Sequence, residues 1–551
     1  MLKKLFNSRA KNTTFAALII GISTLLNGFL GLIRDRLFAS RFGAGETLDI
    51  YFAAFRIPDF IYTLLFASGM VFVFLPIFSE YFHQDQKKAW RFANLVLSTF
   101  LVFAGVLCLL VLIGAPAIVK AIAPGFSGEK SRAVIQLTRL MLLSPFFFII
   151  SNIFSGILQY FDRFLVFSLT PLLYNAGIIS GITVFYPLFG IKGLALGVVL
   201  GAFLHMAIQI PSAVLAGFRY QPVFDFKSPD LKKVFVLLLP RTLAAAASQI
   251  NTVVITAFAS VLVSGSVAVF SLSNNLRGFP IILIGLSFAT ATFPYLSRAW
   301  AEKRAKDFLN RLFLSGRQTL FLIIPSSVFI FFLSKPLVTL VLGAGKFSAA
   351  DIELTAASFR IFSLGFFAFA LVPLLNKAFF SLHDTKTPLA AGLFSVVFNV
   401  IFCYFFVHLI GVSAGFERIM RILCSLKIAA DIRITGLSLG FLASGLVNFF
   451  LLYVFLHKKL CRLLENKDLL IEEIKETRLS LTKTLAAGLL MAALIVLVSR
   501  FIAVIIGTDS FFRLAGTVAL IGLISGSAYL FFSFLLKSKE TKTIFGSILK
   551  K

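Results

Sequence analysis

Long apolar runs, most of them about twenty residues, alternate along the chain with short polar stretches that hold most of its charge. Twenty residues of α-helix rise about 30 Å, the thickness of a bilayer's hydrocarbon core, so each run predicts a membrane-crossing helix. Bounded by charges or Pro/Gly turns, about fourteen such runs can be drawn. They lie near residues 14–33, 48–78, 92–114, 134–157, 165–188, 192–217, 233–260, 265–295, 315–334, 353–381, 388–410, 434–457, 482–505 and 514–537. The expected fold is an all-α polytopic membrane protein. The second run is the least regular and can also be read as two shorter pieces around Pro58.

The pattern repeats. Arg56 and Arg277 are 221 residues apart, as are Arg139 and Arg360. Pro58 maps to Pro280 and Asp162 to Asp384 at 222, and Asn175 to Asn399 at 224. Each copy holds six runs, an even number, so both copies insert in the same orientation and predict parallel repeats. The expected organisation is residues 1–220 as one six-helix lobe and 221–457 as a second, around a central cavity. A linker at 458–481 then lies along the cytoplasmic face, and 482–551 adds two further spans and a tail. The second lobe carries an insert at 411–433, where apolar residues interleave with Arg418, Arg421, Lys427 and Arg433. That spacing predicts a short amphipathic helix lying on the outer leaflet.

Composition agrees. The 551 residues are 59% hydrophobic and 14% charged, with 67 phenylalanines, whereas soluble domains are nearer a quarter charged. The net charge of +28 is distributed between the apolar runs rather than along one face, which argues against nucleic acid as a partner. Lys and Arg concentrate in the loops on the N-terminal side, above all in 296–317, with Arg298, Lys303, Arg304, Lys306, Arg311 and Arg317. An even number of spans with that asymmetry predicts both termini in the cytoplasm. The first apolar run continues to Ile33 and ends in Arg34-Asp35-Arg36 rather than at a small-residue cleavage site, so it reads as a retained span.

Enzymatic readings find little support. Gly343-Ala344-Gly345-Lys346-Phe347 lacks both the first glycine and the Ser/Thr of a phosphate-binding loop. Cys108, Cys403, Cys424 and Cys461, with the five scattered histidines, show no metal-ligand spacing, and no cofactor is expected.

Charge inside the apolar runs carries the candidate chemistry. Arg56 lies within the second run, where an arginine costs roughly 2.5–3.5 kcal/mol unless it faces a cavity or a partner. The alternative is a side chain that snorkels to the interface. Arg277 is its repeat counterpart, with Asn275 two residues earlier, and Arg34 closes the first run. A guanidinium grips phosphate through two parallel bonds, so a group of arginines suits a pyrophosphate. Asp35, Asp49 and Asp59 are near enough in sequence to pair with these arginines when no ligand is bound. The same residues can equally be ion pairs that fix helix ends. Arg139 and Arg360 lie towards the external side, where anchoring competes with binding.

Several blocks together resemble the MurJ/MviN-type lipid II flippases of the multidrug/oligosaccharidyl-lipid/polysaccharide exporter superfamily. They are RDRLFASRFGAG (34–45), DIYFAAFRIPD (49–59), FLPIFSEY (74–81), GILQYFDRF (156–164), TPLLYNAGII (170–179), SQINTVVITAFAS (248–260), GAGKFSAADIELTAASFR (343–360) and HDTKTP (383–388). The resemblance implies a fourteen-span protein of the bacterial inner membrane. Such a protein moves lipid II, an undecaprenyl-pyrophosphate-linked disaccharide pentapeptide, from the inner to the outer leaflet by alternating access. It also implies cavity arginines, to which Arg34, Arg56 and Arg277 are similar, and a groove for the lipid tail at the last two spans. Membrane lipids and wall-synthesis enzymes are further expected partners.

Three departures stand out. Asn274-Asn275 occupies the place of a frequent Asp-Arg, and the arginine stands at Arg277, about 200° further round the helix. Ile255 and Cys403 replace carboxylates tied in the family to sodium, which leaves Asn399 as a metal ligand only if a site survives. The rival readings are an exporter of another undecaprenyl-linked glycan, a drug exporter of the same superfamily, and a membrane scaffold. A drug exporter should line its cavity with carboxylates, and a scaffold needs no paired intramembrane arginines.

Overall fold

The computed structural model describes residues 13–64, 70–464, 467–506 and 510–541, and they are helical almost throughout, with no strand among them. Contacts divide the chain into two compact units, residues 1–268 and 269–551.

The first unit opens with α1 (Thr13–Phe42), α2 (Glu46–Tyr62) and α3 (Met70–Gln84). Pro58, where the second apolar run could be read as divided, lies inside α2; residues 65–69 of that run lie outside the described residues. Next come α4 (Gln86–Ile122), α5 (Gly128–Met141), α6 (Ser144–Tyr160) and α7 (Phe164–Ser180). A π-turn at Gly181–Phe185 leads into α8 (Tyr186–Phe189), followed by α9 (Lys192–Ala207), α10 (Ile210–Leu215) and α11 (Pro229–Ser260). Local chemistry sets several starts: the Asp85 carboxylate caps α4 and the Ser228 hydroxyl caps α11.

The order then repeats through α12 (Ser266–Pro280), a π-turn at Ile281–Leu286, α13 (Ser287–Ala301), α14 (Ala305–Leu342), α15 (Ala349–Ser363), α16 (Phe366–Ser381) and α17 (Lys386–Val412). α15 starts with a capping box in which Ser348 and Asp351 satisfy each other's backbone N–H. It meets α16 at a 53° bend. The starts of α15 and α16 lie 221 and 222 residues after those of α5 and α6. Backbone specials repeat too: left-handed φ recurs at Gly43 and Gly265, and at Asp162 and His383. The insert forms α18 (Ala414–Cys424), and α19 (Ile434–Leu463), α20 (Asp468–Ile506) and α21 (Phe511–Leu535) follow.

Among the described residues, ten helical segments are long and apolar enough to cross a membrane, or eleven if α15 and α16 count as one bent span. The expected number of about fourteen is thus not confirmed. The remaining expected spans fall on α1, which ends among Arg34, Asp35, Arg36 and Arg41, on α2–α3, and on α11. Helix α2 has only 17 residues and carries Glu46, Asp49, Arg56 and Asp59; in α11, Gln249–Ser260 is a shorter apolar helix among the described residues.

In lipid, helices gain little from hiding apolar surface from one another, so close packing decides which of them associate. Gly177 and Gly181 face Gly201 and Gly197 at four-residue spacing, and α7 meets α9 backbone to backbone there. A Cβ on Gly177 would lie 2.2 Å from the Gly201 Cα, and one on Gly197 2.4 Å from the Gly181 Cα. Buried polar side chains supply the other fixed points. Arg163 of the QYFDRF block is buried and donates to the Ser212 carbonyl at 2.5 Å, closing the C-terminal turns of α10. In the second unit, Arg317 bonds Glu473 at 2.9 Å, with Glu476 and Glu540 within 4 Å, tying α14 to α20 and to Glu540 beyond α21.

Asp384, at the turn before α17, accepts from the Thr387 N–H and hydroxyl and from Lys459 at 2.6 Å. Burial works against its charge, but these donors outweigh it and hold the carboxyl below the ordinary range.

The glycine contact makes a direct prediction. Gly197→Ala must push α7 and α9 apart and should cost roughly 1–3 kcal/mol, as overpacking does. Gly105→Ala, with open space around the new methyl, should be neutral. Thermal melting of the purified protein compares the two.

Candidate functional site

The three arginines singled out in sequence meet three different environments. Arg34 is committed within the first unit. Its Nε and Nη2 donate to Asp35 Oδ1 at 3.0 and 2.8 Å, and its Nη1 donates to Asn175 Oδ1 at 3.0 Å. Asn175 in turn donates to Asn27 at 2.8 Å, so the cluster ties α1 to α7. Asp35 is 2% exposed, and an unpaired carboxylate at that depth would be costly. The Asn175 of the TPLLYNAGII block thereby gains a physical duty: its oxygen completes the solvation of a partly buried guanidinium.

Arg56 projects from α2 towards α11, where its Nε donates to the Thr256 hydroxyl at 3.0 Å. One turn on, Asp59 accepts from Gln249 at 3.0 Å, and Gln249 also bonds Thr63 at 2.9 Å. Arg56 therefore faces a partner helix within its own unit. Asp49 serves a different purpose from pairing with an arginine. It is 1% exposed and accepts from Lys130 at 3.1 Å and from the Gly265 and Ala268 N–H groups at 2.8 and 3.0 Å. A carboxylate on the first free N–H groups of a helix is stabilised by its dipole, so Asp49 fixes the start of α12.

Arg277 lies in the last turn of α12, three residues before Pro280 and the π-turn. Such local unwinding is frequent at functional sites. Its guanidinium carbon sits 4.5 Å from the ring centre of Phe441, 4.6 Å from Phe369 and 5.5 Å from Phe362. The rings come from α19 and from both sides of the bend between α15 and α16, and they pack on one another at 5.6–5.7 Å. Each desolvated cation–π contact contributes up to about 2 kcal/mol. Among the described residues Arg277 has no hydrogen-bond or ion-pair partner, and its Nε is shielded from solvent without one. A cation is thus held by ring faces while its N–H donors stay uncommitted. The neighbouring Asn274 likewise has a shielded oxygen with no partner among the described residues, and Asn275 lies between them in sequence on the same helix.

The remaining candidates are structural in their contacts. Arg139 reaches the Leu112 carbonyl at 3.3 Å, and Arg360 reaches Ser334, Leu423 and Ser425. Asn399 is fully buried; its amide donates to Ser444 at 3.0 Å and its oxygen lies 3.7 Å from the Cys403 thiol. Among the described residues no three His, Cys, Asp or Glu side chains come together as metal ligands.

The second unit also holds an apolar pocket of about 550 Å³. Leu320 and Ile324 of α14, Leu371 and Leu374 of α16, Tyr453 and Leu456 of α19 and Leu481 and Leu485 of α20 line it, with His457 and Arg478 among the polar groups.

A family model described as lipid II flippase MurJ matches residues 38–516, a stretch that contains Arg56, Arg277 and every repeat-related pair named above. The chain belongs to the MurJ family. A probable lipid II flippase MurJ of Vibrio cholerae is 29% identical over 413 residues, 72% of this chain and 79% of that one. Another from Buchnera aphidicola of Baizongia pistaciae is 26% identical and covers 94% of this chain and 96% of its own. Among solved structures, a lipid II flippase MurJ in an inward closed conformation superposes with a TM-score of 0.72 at 24% identity, over 97% of this chain and all of that one. An inward-facing MATE-family transporter of the MOP superfamily gives 0.63 at 17% identity, over 81% and 98%. Family and apolar helices together make this a multi-pass protein of the bacterial inner membrane.

Sequence reading missed the three rings around Arg277. With 67 phenylalanines no single one stands out, and only the seven-residue spacing of Phe362 and Phe369 across Gly365 carries a hint. A double-mutant cycle tests the cage. Phe441→Leu and Arg277→Met should show a coupling energy of about 0.5–2 kcal/mol by thermal melting. Zero coupling would mean that the rings only pack beside the cation.

Proposed function

We propose that this chain is a transporter that carries lipid II from the inner to the outer leaflet of the cytoplasmic membrane by alternating access. MurJ family membership supports the substrate, and the MATE-like fold relatives fit the transport mode. The observation that carries the site is Arg277, a cation inside an apolar span whose donors are left for a ligand. An anionic group meets there a guanidinium already oriented by three rings, which lowers the ordering cost of binding. Arg56, at the equivalent place in the first repeat, is the second arm of the clamp, and the pyrophosphate is its object. Arg34 and Asp35 support the first arm by fixing α1 against α7. The polyprenyl tail belongs in the apolar pocket beside α20.

In this reading residues 1–220 and 221–457 act as lobes around the central cavity and 482–551 add the last two spans. Both termini face the cytoplasm, and enzymes of wall synthesis are the natural partners. A drug exporter has only the shared fold in its favour, whereas an exporter of another undecaprenyl-linked glycan would use the same arginine chemistry. Rescue of a bacterium depleted of its own MurJ separates the latter from lipid II transport.

Lysine keeps the charge but loses the planar fork, so Arg56→Lys and Arg277→Lys should each impair transport while leaving a folded protein. Loss of one charged hydrogen bond, about 1.5–3 kcal/mol, predicts roughly ten- to hundredfold weaker lipid II binding. Because one diphosphate engages both, the double mutant should lose less than the sum of the singles. Strict additivity, or full binding by Arg277→Ala, would show that the two do not share a ligand.

Orientation has its own test. Single cysteines at Ser264 and Lys346 should react with an impermeant reagent in intact cells, and one at Lys303 should not. Reversal of that pattern would invert the topology.

A further inference from the structure

The insert between α17 and α19 has no counterpart in the first repeat, where only Gly190 and Ile191 separate α8 from α9. It is nonetheless held firmly. Glu353 of α15 accepts from the Lys427 and Ile428 N–H groups at 2.9 and 2.8 Å, and from Lys335 at 2.9 Å. Arg360, on the same helix, donates to the Leu423 carbonyl at 2.9 Å and the Ser425 hydroxyl at 3.0 Å, closing the C-terminal end of α18. Arg421 donates to the Ala429 and Ala430 carbonyls and pairs with Glu417. Met420 and Cys424 are buried beneath.

What α18 leaves uncovered is apolar. Ile419 is 60% exposed and Ile422 72%, with Leu423 and Ile428 beside them. At 100° per residue, Ile419, Ile422 and Leu423 form one stripe, bordered by Arg418. Arg418 and Lys427 are exposed, and Arg418 has no ion-pair partner among the described residues. The preceding helix presents Ile401, Tyr404, Phe405 and Val412 outward, and Phe406 of α17 packs against Phe416 of α18. The bilayer-facing surface of α17 therefore runs directly into the insert.

We infer that α18 is an interfacial anchor that buries Ile419, Ile422, Leu423 and Ile428 in the adjoining leaflet and engages anionic phospholipid headgroups through Arg418 and Lys427. A stripe of this kind flanked by basic residues fits the headgroup–acyl boundary. A second protein is the poorer occupant. A stable interface needs about 800 Å² from each partner, and α18 is only about 16 Å long. Because Glu353 and Arg360 both belong to α15, the anchor holds one half of the bent α15–α16 span against the membrane plane. The inference does not rest on the transported substrate or on orientation.

Nitroxide labels read the depth directly, in the full chain with Cys461→Ser, reconstituted in phosphatidylcholine vesicles with or without phosphatidylglycerol. Labels on cysteines at Ile419 and Ile422 should collide several-fold more readily with oxygen than with a nickel chelate, and a label at Arg418 should show the reverse. Phosphatidylglycerol should deepen the first two, and Arg418→Gln with Lys427→Gln should abolish that deepening. Nickel access at Ile422 equal to that at Lys303 would mean that the stripe lies in water. Shielding from both reagents would mean that protein, a second copy included, covers it. Either result overturns the anchor, and indifference to phosphatidylglycerol overturns its headgroup contact.

Discussion

A guanidinium in hydrocarbon must find a partner, and the interior of this protein is arranged around that requirement. Each arginine meets it differently. Arg34 is neutralised by a buried carboxylate and finished by an amide; it acts as a rivet between α1 and α7. Arg56 takes a hydroxyl from α11 and keeps Asp59 one turn away. Arg277 is surrounded by ring faces, which attract the cation without occupying its hydrogen-bond donors. Among the described residues, only the third arrangement leaves the guanidinium without a hydrogen-bond or ion-pair partner. The three residues look alike in sequence, but their partners grade them from structural to available.

The rings that hold Arg277 stand on both sides of the break between α15 and α16, and on α19. A change in the 53° bend would alter the distance from Phe362 to Phe369, so the cage and the bend are mechanically linked. Gly365 at the junction permits close packing there, since a Cβ would lie 2.2 Å from Leu442. Close contacts elsewhere, such as the glycine seam between α7 and α9 and the Arg317 cluster, leave no such interruption between the elements they join. Movement at a few interrupted helices between packed bodies is how hinged transitions are built.

Asp49 shows how a charged residue in a recognisable motif can serve the fold rather than the ligand. Its carboxylate, fixed by Lys130, caps the helix that carries Arg277 at the opposite end. Loss of Asp49 would leave the first N–H groups of that helix without their acceptor. Mutational loss of activity at such a position reports positioning.

The run lengths, the repeat near 221 residues and the amphipathic insert were legible in the sequence because each follows from local periodicity and from the fixed thickness of a bilayer. The helices begin and end close to the charged and Pro/Gly boundaries for the same reason. The arginines were visible because charge in an apolar run is rare. Their fates were not. Whether Arg34 meets Asp35 and Asn175, whether Asp49 meets an arginine or an N-terminus, and which three of 67 phenylalanines enclose Arg277 depend on side chains far apart in the chain. Cation–π and long-range hydrogen bonds leave no spacing signature, since they are set by how whole helices pack. Sequence decided where charge falls within the apolar runs; tertiary packing alone decided what each of those charges meets.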